Sequence, residues 1–414
     1  MSPPTSKIFH GWRIVGAGAA IQFLNGCLLV HGFGAYVAAL SAERGWSKTA
    51  LSAGAAIQSV EGALLGPLQG WLVDRFGSRR MVQGGLLAFA LGMMALSQVE
   101  TLPGFYGAMV LVAVGTALSG YFPLTVTIVH WFRRQRARAL SIMSLGLALG
   151  GVAVPLVAGS IQLFGWRATA FGSGVLILLV GLPLTRVLHR RPSDVGQFED
   201  GNPEPVARPV AQPGFPAAAV KDSSFTAAQA LRTRAFWLLG VGHAFAMLVV
   251  ASVNVHAISH MKEGLGYTLA QASLVVTLMT VFQVAGVLAG AALGDRLSKR
   301  LVAAACMLGH MAGLLMLAYA NHPGWLVGFA ALHGTAWGLR GPFMQALRAD
   351  YFGVGAIGMI MGLSAFIIAA GQVAGPMVAG GLHDLTGDYR LGFTVLALVA
   401  GSGSVLFYLA RKPE

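Results

Sequence analysis

The chain has 414 residues, 56% of them apolar and only 10% charged, with 56 glycines. A soluble globular chain carries roughly 25% charged residues, so a soluble fold is excluded; apolar runs of around 20 residues fit a helical membrane protein, not the roughly 10-residue alternating strands of a barrel. The formal charge is +13, but the basic residues gather in loops on one side, which is a topology signal and not a nucleic-acid surface.

In chain order, twelve spans are predicted. They are Trp12–Leu40, Thr49–Val73, Met81–Ser97, Gly104–Phe132, Ala139–Leu163, Arg167–Val187, Ala235–Ile258, Leu269–Gly294, Leu301–Tyr319, Gly324–Phe352, Ala356–His383 and Tyr389–Ala410. Between the sixth and seventh, His189 to Arg234 is polar and rich in proline, including Pro192, Pro203 and Pro205. It cannot span and is expected to be an unfolded cytoplasmic linker. The predicted domains are thus 1–188, a six-helix bundle, 189–234, the linker, and 235–414, a second six-helix bundle. Arg133, Arg134, Arg190, Arg191, Lys299, Arg300 and Arg348 share a side with both termini. The positive-inside rule therefore puts the termini in the cytoplasm, with the chain in the plasma (inner) membrane. No apolar segment with a small-residue cleavage site opens the chain, so the first span is expected to stay as an anchor. Cys27 and Cys306 lie inside apolar runs, without disulfide or metal-ligand spacing.

The two blocks read as copies. Asp74-Arg75 recurs as Asp295-Arg296, and 295 − 74 = 221. Leu118-Ser-Gly-Tyr-Phe122 recurs as Leu339-Arg-Gly-Pro-Phe343, again 221 apart. Gly150-x4-Pro155-x3-Gly159 matches Gly371-x4-Pro376-x3-Gly380 at the same offset. A second offset, 225, relates Trp12 to Trp237 and His31 to His256. The expected architecture is an all-α membrane protein of two pseudo-symmetric six-helix bundles, with a binding site near the midplane. The glycines of the fifth and eleventh spans, Gly146, Gly150, Gly159, Gly371, Gly375 and Gly380, are expected to let helices approach closely.

The tenth span carries an arginine near its middle. A charge at membrane depth costs about 2.5–3.5 kcal/mol on insertion scales, so it is kept only where it meets a wet cavity, a carboxylate or an anion. His333, Trp337, Arg340 and Met344 lie at i, i+4, i+7 and i+11, one helical face. That stripe reads as a cavity lining, with Arg340 meeting an anion. The competing reading is a structural arginine neutralised by Glu61 or by backbone carbonyls. Glu61 is the one carboxylate read at depth, and a buried carboxyl is a candidate proton carrier. Of the other span histidines, His256 beside Asn254 and His31 are candidates for proton coupling; His310 reads as packing and His130 as interfacial. His243, Met247 and Asn254 share a face, as do Gln22 with Asn25 and Tyr121 with Thr125.

Gly70-x-x-x-Asp74-Arg75-x-Gly77-x-Arg79-Arg80 resembles the signature loop between the second and third helices of the major facilitator superfamily. Its second copy, Asp295-Arg296-Leu-Ser-Lys299-Arg300, is degraded. Asp74 at a helix end can pair with cytoplasmic arginines or face another helix's N-terminus, acting as a gate latch. Within the superfamily, Gly11-Trp12, Gly45-Trp46-Ser47, Arg340-Gly-Pro342 and Ala379-Gly-Gly-x-x-Asp384-x-Thr-Gly387 resemble the bacterial monocarboxylate-transporter-like and oxalate–formate-antiporter-like branch. The resemblance implies that the first, fourth, seventh and tenth helices line the cavity, which brings Gln22, Asn25, Tyr121 and Thr125 in as neutral donors. The animal members of that branch are known for a lysine in the first helix and an Asp/Arg pair in the eighth. Here the eighth offers only Thr277, Thr280 and Gln283, leaving Arg340 as the basic group at depth.

The resulting expectation is a secondary transporter of a small organic anion, a monocarboxylate such as lactate, coupled to a proton and working by alternating access. The rivals are an anion exchanger of the oxalate–formate type, efflux of a neutral or cationic solute, and a non-transporting receptor on the same fold. Partners are the anion, a proton or counter-anion and the bilayer; a monomer is expected. There is no Walker pattern and no nucleophile–base motif, so neither ATP-driven transport nor an enzyme is expected, and no cofactor or metal.

Overall fold

The protein is described from a computed structural model, which covers residues 9–30, 32–46, 50–51, 65–201, 224–267 and 269–413. The described residues form helices joined by short turns, and the chain divides into two compact units. The first comprises Met1–Ser224 and Gly353–Met359; the second comprises Phe225–Phe352 and Ile360–Glu414.

The first unit contains α1 (His10–Asn25), which runs on through a π turn, Gly26–Val30, then α2 (Phe33–Arg44) and α3 (65–76). It continues with α4 (Ser78–Ser97), α5 (Leu102–Ser119), α6 (Tyr121–Trp131), α7 (Arg136–Val152) and α8 (Val154–Leu176). The predicted fourth span is broken at Gly120, which leaves helical geometry at φ −83, ψ −146 and separates α5 from α6. The second unit holds α9 (Arg234–Glu263), α10 (Leu269–Leu293), α11 (Lys299–Ala318), α12 (Pro323–Phe352), α13 (Ile357–Thr386), whose first three residues count with the first unit, and α14 (Arg390–Leu409).

Nine helices among the described residues are long and apolar enough to cross a bilayer. One of them, Arg136–Val187, runs 52 residues and is divided at Gly165, where φ 78 and ψ 160 interrupt the helix. That break falls between the predicted fifth and sixth spans. α12 is 30 residues long but too polar to qualify on composition, and α3 is described only from residue 65. Large apolar side chains stand exposed along the outer faces, such as Leu163 at 78% and Met377 at 70%. That pattern suits hydrocarbon and not water.

The segment expected to be unfolded is ordered at both ends. Short helical turns form at Pro192–Val195 and Ala227–Leu231, and residues 202–223 lie outside the described set. Asp200, held at φ 59, accepts the N–H groups of Arg133 and Arg134 at 3.1 and 2.9 Å. Its carboxylate thus ties this segment to the turn between α6 and α7.

Glycine contacts show how the copies correspond. A Cβ on Gly146 would strike the carbonyl of Ala19, and one on Gly371 the carbonyl of Ala244; 371 − 146 = 225 and 244 − 19 = 225. Gly150 meets Phe23 and Gly375 meets Leu248, again 225 apart on both sides. Between α4 and α5, however, Gly92 meets Val112 as Gly313 meets His333 between α11 and α12, and both differences are 221. The sequence pairing of Gly150 with Gly371 is therefore corrected by one helical turn, while the pairing of Ser119 with Arg340 stands at 221. Gly159 has nothing within 4 Å and Gly380 only the His256 ring, so these two are not close-approach positions.

Candidate functional site

α12 brings Arg340 into the interior of the second unit. Its side chain is 1% exposed, and Nη2 lies 3.7 Å from the Sδ of Met247 on α9. Eight residues on, Arg348 is equally buried; its Nη2 donates to the Nδ1 of His243 at 3.2 Å, and its Nη1 donates to the Met344 carbonyl at 3.4 Å. Arg348, placed in the tenth span on the side of both termini, is thus a second buried guanidinium on this helix, and Arg340 is not the one buried cation of the span. α12 continues past Arg348 to Phe352, which turns Arg348 inward beside α9. The legible signal was the i, i+4 pair His243 and Met247 facing two arginines two turns apart.

His333 is fully buried, with its Nδ1 3.2 Å from the Nδ1 of His310 on α11. Its ring packs against Phe329 at 5.5 Å and lies 6.5 Å from half-buried Trp337. His310, read as packing, is therefore hydrogen-bonded to a residue of the expected site. Gly313 and Gly334 flank His333 and let α11 and α10 approach α12.

The remaining candidates are scattered through the two units. Asn254 is exposed, and His256 Nε2 donates to the Pro376 carbonyl, 3.0 Å away, which ties α9 to α13. Thr280 is exposed and its hydroxyl donates to Val276 in its own helix at 3.0 Å. In the first unit Gln22 and Asn25 are 2% and 4% exposed, and Thr125 is 1% exposed. Neither Asn25 Oδ1 nor Thr125 Oγ1 has a hydrogen-bond partner among the described residues. Tyr121 opens α6 just after the Gly120 break, and a Cβ on Gly120 would lie 3.6 Å from the Asn25 amide nitrogen. The broken helix and the buried amide thus lie together. Glu61 and His31 lie outside the described residues.

In the signature loop, Asp74 Oδ2 accepts the N–H of Met359, at the start of α13, at 2.9 Å. Of the two expected roles for Asp74, the structure has the one at a helix N-terminus, where N–H groups favour an anion. Gly70 is needed there because a Cβ would sit 2.5 Å from the Gly358 carbonyl oxygen. Burial pushes the Asp74 carboxyl above its ordinary range, against the pull of the Met359 and Gly358 N–H groups and of Arg190. Arg190 itself donates to the Asp74 carbonyl at 2.7 Å. Arg75 lies over the Trp71 ring at 5.1 Å, Gly77 adopts φ 80 to start α4, and Arg79 and Arg80 are exposed. In the second copy Asp295 is half-buried and Arg296 exposed, and Lys299 pairs with Asp350 at 3.0 Å.

A helical chain with apolar spans, repeated helix contacts in its two units and buried cations has the make-up of a membrane transporter. The chain belongs to the Major Facilitator Superfamily, whose family model it matches over residues 18–256 and 239–414. It is 27% identical to monocarboxylate transporter 11 of Mus musculus, over 96% of this chain and 86% of that one. It is 25% identical to monocarboxylate transporter 13 of Bos taurus, over 82% and 76%. Among solved structures, the human organic anion transporter MFSD10 (TETRAN) matches at TM-score 0.70 and 16% identity, over 98% of this chain and 100% of that one. The proton:xylose symporter XylE matches at 0.73 and 14%, over 97% and 96%. At these identities the structures show the fold alone.

Proposed function

We propose that this transporter carries a small organic anion, a monocarboxylate such as lactate, together with a proton, by alternating access across the plasma (inner) membrane. The observation that carries the reading is Arg340, a cation 1% exposed near the middle of α12. A guanidinium binds a carboxylate through paired N–H donors and stays charged at every physiological pH. The likeness to transporters named for monocarboxylates, along nearly the whole chain, supports the same class. His333 and Trp337 would flank the anion on α12, with Gln22, Asn25, Tyr121, Thr125, Asn254 and Thr280 as candidate neutral contacts. The Asp74 loop would hold one gate conformation.

Arg340→Gln in proteoliposomes should abolish lactate uptake while the protein is produced and folded as wild type. Losing a hydrogen-bonded buried charge contact costs about 2–5 kcal/mol, which takes uptake to background. Wild-type uptake by Arg340→Gln would remove the anion site. An exchanger of the oxalate–formate type is the second reading, favoured by the additional buried guanidinium of Arg348, which suits a two-headed anion. Uptake that requires an internal counter-anion, with no proton movement, would select it. Competition by neutral or cationic solutes and not by carboxylates would select efflux.

A further inference from the structure

We propose that His310 and His333 form a proton-binding imidazole pair that loads one proton when the anion binds at Arg340. The inference rests on the proton-coupled reading above and names the group that carries the proton. Both rings are fully buried, their Nδ1 atoms are 3.2 Å apart, and neither Nε2 has a hydrogen-bond partner among the described residues. Buried polar atoms are ordinarily paired, so these two nitrogens mark positions where something else engages the rings.

Packing does not require histidines here. By the offset that relates α4–α5 to α11–α12, 310 − 89 = 221 and 333 − 112 = 221, so the first unit holds Phe89 and Val112 at the same two places, both fully buried. The backbone frames correspond: a Cβ on Gly92 would lie 2.7 Å from the Val112 nitrogen, and one on Gly313 would lie 3.1 Å from the His333 nitrogen. The same offset puts Ser119 where Arg340 stands. At these three positions the second unit thus carries two imidazoles and one guanidinium where the first has Phe89, Val112 and Ser119, on two packed helices.

The chemistry is balanced. In the neutral pair one ring donates its Nδ1–H to the other ring's Nδ1. The donor ring keeps a bare lone pair on Nε2, and the acceptor ring carries its proton on Nε2. A proton from water added to that bare Nε2 gives three N–H protons on two rings and a single positive charge, with the N–H···N bond retained. Release is the reverse. Arg340 lies seven residues beyond His333, about 10 Å along the axis at 1.5 Å per residue. A second cation so near the guanidinium is disfavoured while the site is empty and favoured once a carboxylate sits on Arg340. By linkage, proton and anion raise one another's affinity by the same factor.

The other titratable or charged groups on these helices and those packed against them are few. Cys306 precedes His310 by one turn, and Lys299 and Arg300 open α11. Arg348, Asp350 and Tyr351 close α12. α9 carries Arg234, His243, His256, His260, Lys262 and Glu263, with His260 donating to the Leu317 carbonyl of α11. Arg390 and Tyr408 lie near the ends of α14, and α10 has none.

The test uses reconstituted full-length protein with two readouts, lactate-driven proton entry and lactate counterflow at equal pH. His310→Phe combined with His333→Val installs the first unit's residues. The expected result is proton entry per lactate carried reduced at least tenfold, a ratio taken against counterflow so that it holds even where the His333 change weakens lactate binding. A double variant that still moves one proton per lactate overturns the pair. Lactate movement by wild type without protons overturns the proton-coupled reading and the pair's role with it; coupling intact in wild type and in the variant overturns the pair alone. Should the variant not fold, 15N-histidine spectra of the wild type decide. Lactate addition should convert the one bare Nε2 of the pair to N–H, and a bare Nε2 that persists at saturating lactate overturns the inference.

Discussion

Gly150→Ala tests whether the backbone contact between α1 and α7 sets the stability of the first unit. The added Cβ would lie 2.7 Å from the Cys27 nitrogen and 2.8 Å from the Phe23 carbonyl oxygen, where ordinary contact begins at 3.4 Å. The two helices must separate by about 0.7 Å, since 3.4 − 2.7 = 0.7. The obstruction is backbone on both sides and no rotamer relieves it. Overpacking of this kind costs about 1–3 kcal/mol. Alanine's helix preference returns about 1 kcal/mol, leaving roughly 0–2 kcal/mol. At about 2–4 °C per kcal/mol for a unit of 150–250 residues, the unfolding midpoint should fall by up to about 8 °C. The control is Gly159→Ala, which meets nothing within 4 Å and should leave the midpoint unchanged or raise it. Both variants are to be melted in one detergent at one scan rate, because membrane proteins unfold irreversibly. A Gly150→Ala midpoint at or above that of Gly159→Ala refutes the contact as described.

Two further outcomes are expected. Burial raises the Asp74 carboxyl above its unfolded value, so the native state holds that proton more tightly, and stability falls as pH rises through the raised value. Asp74→Asn, which mimics the protonated form, should melt at or above wild type at pH 7, converge with it near pH 4, and transport poorly; a lower midpoint at pH 7 contradicts this. Arg348→Met should be neutral or stabilising, since apolar replacements of buried charges often are. His243→Leu should lose about 1–3 kcal/mol by taking an acceptor from the buried guanidinium. Equal midpoints for those two variants would discount the 3.2 Å bond between Arg348 and His243.

Much of this was legible before any coordinates. Hydropathy placed the helices because a bilayer demands runs of fixed length, and the Gly70–Arg80 loop was legible because each glycine there has a steric reason. Arg340 stood out because a charge in an apolar run has few explanations. Arg348 did not, because it lies near a helix end among basic residues and its inward turn depends on α9. The His310–His333 bond was hidden for a similar reason: helical spacing relates residues within one helix, and this bond joins two. The repeat was legible, but a single offset was not enough. Gly150-x4-Pro155 and Gly371-x4-Pro376 align by letter, yet the contacts align Gly150 with Gly375.

The two registers, 221 and 225, differ by four residues, slightly more than one turn of helix at 3.6 residues per turn. A four-residue difference shifts one helix lengthwise against its copy while leaving its side chains on nearly the same face. Anyone transplanting chemistry between the halves must respect both registers. A histidine pair moved into the first half belongs at Phe89 and Val112, whereas the counterpart of His243 is Gly18, not the residue 221 positions upstream.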